Sequence, residues 1–463
     1  MFIKSWSEID KKSAEYYKKI IELCKKKSLP DNLSFIVVDH CLQTFESHVS
    51  SLSKLGKISG VILKGSTRHE EAEKFANNHY KIISVTKDEL NNSKIAIKTI
   101  LENTSRDDKL IILDHGGYFA ASLKEIVEHD QISKQFLGLI EVTENGHVKL
   151  EQAIKKTKLP AISIARSEIK ELEDTQVGIS ICDVTNNILY SIHSALTSLN
   201  SVCVIGYGKI GRSIANHCRR QRIPTITVIE IDSLRAQLAL KEGHKVVIGK
   251  NNMVDKISAF QNAQIIFSAT GAKALSKSDV PFLRQTMNNK SDSHKRVLYI
   301  ASCTSPDEEF SPDFFSELLS LSKNAPTDRL SCEKNFKLTP YELYDGRQIN
   351  ILNGGKAVNF AMGGTPGYEI CQVWAAVLYA ASTIAAGEIK EDSSIQTLSH
   401  EAQSLISDIT HTIFLSDAKI STNENIQLRC RSNSFPSGNT KVTLFSEVKA
   451  SVYVNEPSQK YTP

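Results

Sequence analysis

The chain has no CxxC pair and no CxxC…HxxxH pattern among its nine cysteines. That excludes the common zinc frameworks, so no metal is expected, and the wide spacing reads as reduced thiols in a cytoplasmic setting. Strong charge of either sign is also missing. A formal net charge of +4 is slight for 463 residues, and the lysines are scattered apart from Lys25-Lys26-Lys27, so no nucleic-acid partner is expected. The opening MFIKSWSEIDKK lacks an apolar signal segment and reads as mature sequence. There is no internal repeat and no low-complexity tract. Long hydrophobic runs are nearly absent. One, Ile370 to Gly387, carries no charge for 18 residues, which reaches the lower limit for a membrane span. Its alanines, with Gln372, Ser382 and Thr383, favour a buried helix, and no membrane partner is expected.

What remains is the composition of a folded globular protein, long enough for two or three domains. Strand and helix patterns alternate, which implies parallel sheets. FIVVDH, ISGVILKG, YKIISV, KLIILDHGG and LPAISIA read as strands of a first doubly wound region, separated by helical patterns such as Arg68 to Asn78. A helix from about Asn186 to Leu199 leads into a second α/β unit with strands TITVIE, KVVIG, AQIIFSATG and RVLYIAS. MNNKSDSHK (287–295) reads as a surface loop, and INILNGGKAVNFAMGG (349–364) as strand, turn and return. From about 413 the alternation of apolar and polar residues around Pro436-Ser437-Gly438 reads as a hairpin or meander. The expected fold class is therefore α/β: two doubly wound Rossmann-like domains plus a small β-rich C-terminal appendage. The expected divisions are 1–190, which binds substrate, 191–355, which binds a dinucleotide, 356–412, which returns to the first domain, and 413–463.

The most informative stretch is Ser201-Val-Cys-Val-Ile-Gly206-Tyr207-Gly208-Lys209-Ile210-Gly211. An apolar run stops at Gly-x-Gly-x-x-Gly, which opens a helical pattern. The first glycine allows a tight turn, the second lets backbone approach a pyrophosphate, and the third lets helix pack on strand. The pyrophosphate sits at the helix N-terminus, where free N–H groups favour negative charge. Glu230 ends the next strand 19 residues past Gly211, where a carboxylate meets the adenosine ribose. The competing reading is a glycine-rich turn in an ordinary βαβ unit. Glu230 would repel a 2′-phosphate, which favours NAD over NADP, although Arg235 stands close by.

Together these segments resemble adenosylhomocysteinase over roughly residues 33 to 390. The family's G-Y-G-D-V-G-K-G reads as Gly206 to Arg212, followed by Glu230-Ile231-Asp232. Its T-T-G reads as Ala269-Thr270-Gly271, and its G-R-L-V-N-L as Gly355-Lys356-Ala357-Val358-Asn359-Phe360. F-S-T-Q-D corresponds to Gly65-Ser66-Thr67-Arg68-His69, and I-L-D-D-G-G-D to Ile112-Leu113-Asp114-His115-Gly116-Gly117-Tyr118. In the family, NAD oxidises the ribose 3′-hydroxyl to a ketone, which acidifies C4′; the 5′ thiol leaves, water adds, and the ketone is reduced again. The family's K-S-K-F-D-N aligns with Lys170 to Thr175. The resemblance implies that Lys170 and Asp174 act at the hydroxyl, with His115, His40 and Cys303 as proton-transfer candidates. It implies cofactor contacts from Gly206, Tyr207, Gly208, Lys209, Ile210, Gly211, Glu230, Ile231, Thr143, Asn145, Thr175, Thr270, Gly271 and Asn359. Substrate contacts fall to Thr44, Ser66, Thr67 and Thr365.

The departures cluster. The catalytic aspartate of D-D-G-G-D is His115, and its last aspartate is Tyr118. The second glutamate of E-E-T-T-T-G is Val142. The histidine of N-I-G-H falls near Cys303, that of C-A-M-G-H-P near Thr365, and the adenine-reading residues of H-M-T-V-E-T become Leu42 and Thr44. The closing K-P-x-x-Y-R-Y is not reproduced. The resemblance therefore implies an NAD-dependent enzyme that transiently oxidises a sugar or nucleoside hydroxyl and then acts on the neighbouring carbon. The substrate class is nucleoside, thioether or sugar, not necessarily adenosylhomocysteine, and a homo-oligomer is expected. The alternative is a catalytically inactive, NAD-binding regulatory protein of the same family.

Overall fold

The computed structural model describes residues 6–416, except 156, 250–252, 261–262, 286–296, 305–308, 327–328, 331–336, 366 and 390–393. All of them fall within one compact unit, Met1–Asp417. The loop expected at 287–295 and the β-rich appendage lie outside the described residues, save that His411–Leu415 form a π-helical turn rather than the start of a strand.

Two sheets organise the fold. The first contains β1 (Leu33–Cys41), β2 (Lys57–Arg68), β3 (Lys109–Asp114), β4 (Phe136–Glu141) and β5 (Ala161–Ser163), in the order β2-β1-β3-β4-β5. Every pairing is parallel. β1 is apolar along most of its length because a central parallel strand is covered on both faces, and it is buried except at His40. Leaving β1, the chain winds to β2 on one side and later to β3 on the other. The direction of winding reverses between β1 and β3, and ligands bind outside the carboxyl ends of strands at such a switch point.

The second sheet contains β6 (Ser201–Ile205), β7 (Thr225–Glu230), β8 (Lys245–Ile248), β9 (Ile265–Ser268), β10 (Val297–Ser302), β11 (Arg329–Leu330), β12 (Lys337–Glu342) and β13 (Gln348–Leu352). Its order is β11-β12-β13-β10-β9-β6-β7-β8. Read from β8 to β13, the six parallel strands follow the 3-2-1-4-5-6 winding of dinucleotide-binding folds, with the switch between β6 and β9. β12 pairs antiparallel with β13 and β11, an addition that the sequence reading did not anticipate.

Other differences have local causes. YKIISV forms only a bridge, Ile82 to Val61, whereas FLGLIE, split by Gly138, forms the full strand β4. The helix expected at 186–199 instead runs Glu168–Tyr190. Ser167 caps it by accepting from the Lys170 N–H, and His193 takes a left-handed conformation (φ 59°) just past its end. After β13 there is no returning strand: residues 353–355 and 358–362 form 3-10 turns around left-handed glycines.

The uncharged run forms the helix Tyr368–Ala385, buried almost throughout. It shares a core with the N-terminal helix and with β1, β3 and β4, so it is apolar on all sides, as a fully packed helix is. Its Trp374 donates from Nε1 to the His48 carbonyl and Ser51 Oγ, each at 2.9 Å, and stacks on His48 with centroids 4.4 Å apart. Among the described residues, no helix is long and apolar enough to cross a membrane.

Candidate functional site

The second switch point is built from backbone. Gly206 has φ 91°, and a Cβ there would lie 2.7 Å from the Ala269 carbonyl oxygen. A Cβ on Gly211 would lie 2.0 Å from the Gly206 oxygen, so the third glycine is fixed by helix-on-strand contact. Gly208 differs, since a Cβ there would meet nothing closer than Arg235 Nη1 at 3.8 Å. The second glycine therefore faces open space at the N-terminus of the helix Lys209–Arg220, as a pyrophosphate cradle requires.

Glu230 is buried and accepts from the N–H groups of Tyr207 (2.6 Å), Ile231 (2.7 Å) and Asp232 (2.8 Å). It is thus a fixed acceptor at the end of β7, with most of its lone pairs committed to backbone. Ile231, Leu234 and Ile248 are exposed beside it, and they offer an apolar surface to a base. Across the switch, Thr270 and Gly271 donate their N–H groups to Glu309 at 2.9 and 2.7 Å. Glu309 also accepts from Ser268, Thr270 and Thr304 hydroxyls. Burial pushes its carboxyl above the usual range. No motif announced Glu309, which sets the shape of the Thr270-Gly271 loop. Asn359 is buried, and its Oδ1 has no hydrogen-bond partner. An orphan buried acceptor fits a ligand with N–H groups, and a nicotinamide carboxamide has them.

The first switch point is built from side chains. Asp39, buried at the end of β1, accepts from the His40 N–H at 2.7 Å and lies 3.3 Å from His115 Nδ1. His48 Nδ1 is 3.9 Å from its other oxygen. The His40 and His115 rings meet edge to face, centroids 4.6 Å apart. His40 Nδ1 pairs with Thr67 Oγ1 at 2.7 Å. Burial, then the Lys64 ammonium, pushes the His115 imidazole down to about 4 and depresses His40 as well. Burial opposes ionisation of Asp39, but its histidine partners outweigh it and keep the carboxyl below the usual range. Sequence reasoning passed over Asp39, although a polar residue closing a central strand was the available signal.

The Gly116–Gly117 turn after β3 is held from beneath. Glu141 accepts from the N–H groups of Gly116, Gly117, Val142 and Thr143. Asp114 accepts from those of Tyr118 and Phe119. Burial and then the neighbouring Asp114 push Glu141 up to about 7.

The helix Glu168–Tyr190 joins the two switch points. A Cβ on Gly178 would lie 2.5 Å from Ser213 Oγ, and Ser213 donates to the Thr175 carbonyl at 2.6 Å, so this helix lies tightly on Lys209–Arg220. Near its start, Lys170 Nζ bonds Asp174 Oδ1 at 2.5 Å and also bonds Glu173. Burial works against the Lys170 charge, but Glu173 and then Asp174 outweigh it and hold the ammonium above the usual lysine range. Glu173 stands where the family segment K-S-K-F-D-N has phenylalanine. Lys209 lies 3.6 Å from Asp174 Oδ2 and donates to the Ala165 carbonyl at 2.9 Å. Lys170 is close enough to His115 for its charge to act on that imidazole. Lys170, Asp174, His115, His40, Thr67 and Lys209 therefore gather in one region.

Other expected site residues fall elsewhere or serve the scaffold. Cys303 is buried in the core, and burial, then Glu309, lifts its thiol far above the usual range. The Thr175 hydroxyl, in an exposed residue, donates to the Glu171 carbonyl. Thr143 caps the helix Glu144–Ile154, with Asn145 half-buried in its first turn. Tyr207 is buried, its hydroxyl on Glu242, while Ile210 is half-buried. Thr44 is half-buried before the helix Phe45–Leu52, and Thr365 is buried after Gly363-Gly364. The Ser66 side chain lies outside the described residues.

Parts of the chain are similar to known proteins. A model of the TrkA-N domain matches residues 202–291, which covers the glycine turn. Adenosylhomocysteinase of Thermococcus kodakarensis is 27% identical over 255 residues, 54% of this chain and 53% of that protein. S-inosyl-L-homocysteine hydrolase of Methanopyrus kandleri is 23% identical over 288 residues, 61% and 60% of the two chains. The matches thus span between half and two thirds of the length of these relatives. Among solved structures, phosphoglycerate oxidoreductase from Vibrio cholerae is similar over 62% of this chain and 80% of its own, with TM-score 0.35 and 11% identity. In sequence the chain is similar to adenosylhomocysteinases over about half its length, and it is built on two α/β sheets, the first wholly and the second mostly parallel, of Rossmann type.

Proposed function

We propose that this protein is an NAD-dependent enzyme of adenosylhomocysteinase type. It oxidises a hydroxyl of a sugar or nucleoside transiently and then acts on the neighbouring carbon, by elimination and hydrolysis or by epimerisation. The observation that supports this most is the meeting of Lys170, its two carboxylates, Lys209 of the glycine turn and His115 in one region. When bound, NAD supplies the oxidant for the alcohol and is regenerated as the cycle closes. The glycine turn would hold its pyrophosphate, Glu230 its adenosine end and Asn359 its carboxamide.

The residues divide the proton work. Lys170, clamped by two acids, stays an ammonium; it donates to the substrate hydroxyl oxygen and does not act as base. The hydroxyl proton then passes to a carboxylate. Glu173 and Asp174, both bonded to Lys170, are the candidates, and burial pushes the Glu173 carboxyl up. His115 turns Nδ1 toward Asp39, which leaves Nε2 to move protons at the neighbouring carbon and leaving group. Leu42 and Thr44 alter the base-reading positions, which supports a substrate other than adenosylhomocysteine. The Methanopyrus relative is itself named for an inosyl rather than an adenosyl compound. The proposal also places the enzyme in the cytoplasm as a homo-oligomer, and light scattering tests the oligomeric part.

Absorbance near 340 nm after mixing the NAD-loaded protein with nucleosides, thioethers and sugars tests the reaction. A substrate-dependent rise is expected in the wild type and none in Lys170→Ala, with cofactor binding spared. A normal rise in that variant would remove Lys170 from the mechanism. Val142 and the buried Cys303 favour the second reading, an inactive NAD-binding protein; silence at 340 nm across the panel, with NAD bound, would support it.

A further inference from the structure

Imidazoles elsewhere in the chain are buried with one nitrogen unpaired. His69, His129, His147 and His244 each bury Nδ1 with no hydrogen-bond partner. At the first switch point the opposite holds, and one carboxylate faces two imidazoles. Asp39 Oδ1 lies 3.3 Å from His115 Nδ1, and Oδ2 lies 3.9 Å from His48 Nδ1. Strand register brings the first pair together. Val37 of β1 pairs with Leu113 of β3, so Asp39 and His115, each two residues further on, lie side by side just past the last pair.

The carboxylate is itself held in place. Its Oδ1 accepts from the His40 N–H at 2.7 Å, which ties it to the backbone of β1. On its other side His48 lies flat on Trp374, with an interplanar angle of 10°, and so stands on the long apolar helix. The His115 ring is fixed in plane as well. It meets the His40 ring at 89°, and His40 is paired through Nδ1 with Thr67 and packed on Phe360, centroids 5.0 Å apart. A strand-end cap would need only the His40 N–H. The contact with His115 has a chemical consequence, because an ionised carboxylate accepts and cannot donate, so the proton it faces sits on Nδ1. That leaves Nε2 bare. Lys64 and Lys170 are cations whose charge reaches His115, so an imidazolium there needs a facing anion, and Asp39 is one.

We propose that Asp39 is the positioning residue of this crevice: it accepts from His115 Nδ1–H, commits the Nε2 lone pair to the substrate, and supplies from β1 the carboxylate that the family segment D-D-G-G-D carries where this chain has His115. The inference rests on the reading of His115 as the proton carrier at the neighbouring carbon. In that step the carbon–hydrogen bond breaks, its electron pair stays with the carbon, and Nε2 takes the proton. The ring then passes the proton to the leaving group, while Asp39 stays ionised throughout. A hydrogen bond to a charged acceptor favours the Nδ1–H tautomer over the Nε2–H tautomer about tenfold or more.

Solid-state nitrogen resonance of the full-length protein near neutral pH tests it, with histidine isotopically labelled at Nδ1 in one sample and at Nε2 in another. Subtracting the spectrum of the matching His115→Asn variant isolates the His115 ring. The expected result is a protonated Nδ1 and a bare Nε2 in the wild type. That excess should be lost in Asp39→Ala and restored in Asp39→Asn, whose amide oxygen still accepts from His40 and His115. A proton on His115 Nε2 in the wild type, or an Nδ1–H excess unchanged in Asp39→Ala, overturns the proposal. The wild-type spectrum decides by itself if Asp39→Ala does not fold. Absorbance near 340 nm with the panel of nucleosides, thioethers and sugars separates the two ideas. An Nδ1–H ring in a protein that never reduces NAD leaves Asp39 in its positioning role and removes the redox reading. An Nε2–H ring in a protein that does reduce NAD has the opposite effect.

Discussion

The two switch points do comparable work with different materials. At β6/β9 the surface is backbone and glycine, and its one essential acid is spent on N–H groups. At β1/β3 it is side chain: three histidines, one buried aspartate and two lysines from five separate elements. A backbone site specifies a shape that many proteins share. A side-chain site can specify a particular ligand, and on the proposed function it is this crevice that would set the substrate.

The comparison can be broken most severely at Gly211. Gly211→Val places atoms against the Gly206 carbonyl, and we expect loss of about 3 kcal/mol or more of stability and of measurable NAD binding; calorimetry and cofactor titration check both. Glu309→Gln should cost about 2 kcal/mol, because one of its oxygens becomes an amide that cannot accept from the Thr270-Gly271 loop. It should also weaken NAD binding in the same titration.

A pH experiment probes the side-chain site. The folded protein holds His115 at about 4, below the free imidazole value of 6.5, so it favours the neutral form. The stability this contributes is complete above pH 6.5 and is lost as pH falls toward 4. It amounts to about 3 kcal/mol at most. Thermal unfolding between those pH values should fall less steeply in His115→Asn than in the wild type. Equal slopes would show that His115 is not held neutral. The smallest effect belongs to Glu230: the wild type should prefer NAD over NADP, and Glu230→Gln should narrow that preference about tenfold. A preference that widens would reverse its assigned role.

Sequence made one of these sites far more legible than the other. Gly206, Gly208 and Gly211 sit at fixed spacing because a turn, an approach and a contact recur at fixed distances along one chain, so a linear string carries the information. Asp39, Lys64, Lys87 and His115 are brought together only by sheet order, which no local pattern records. The run Glu168 to Asp174 looked like a solvated face from its charges alone, and family alignment singled out Lys170 and Asp174. Glu173 was missed because the alignment drew attention to matches, while its meaning lies in a mismatch. Cys303 shows the converse: the aligned position is buried in the core, which the linear string did not signal.

The seat of Gly178 against Ser213 has a mechanical corollary. It bolts the helix that carries Lys170 to the helix that starts at the glycine turn. If NAD binds at the glycine turn as proposed, a shift of either helix would carry the other, so the Lys170 ammonium and the cofactor would keep their spacing.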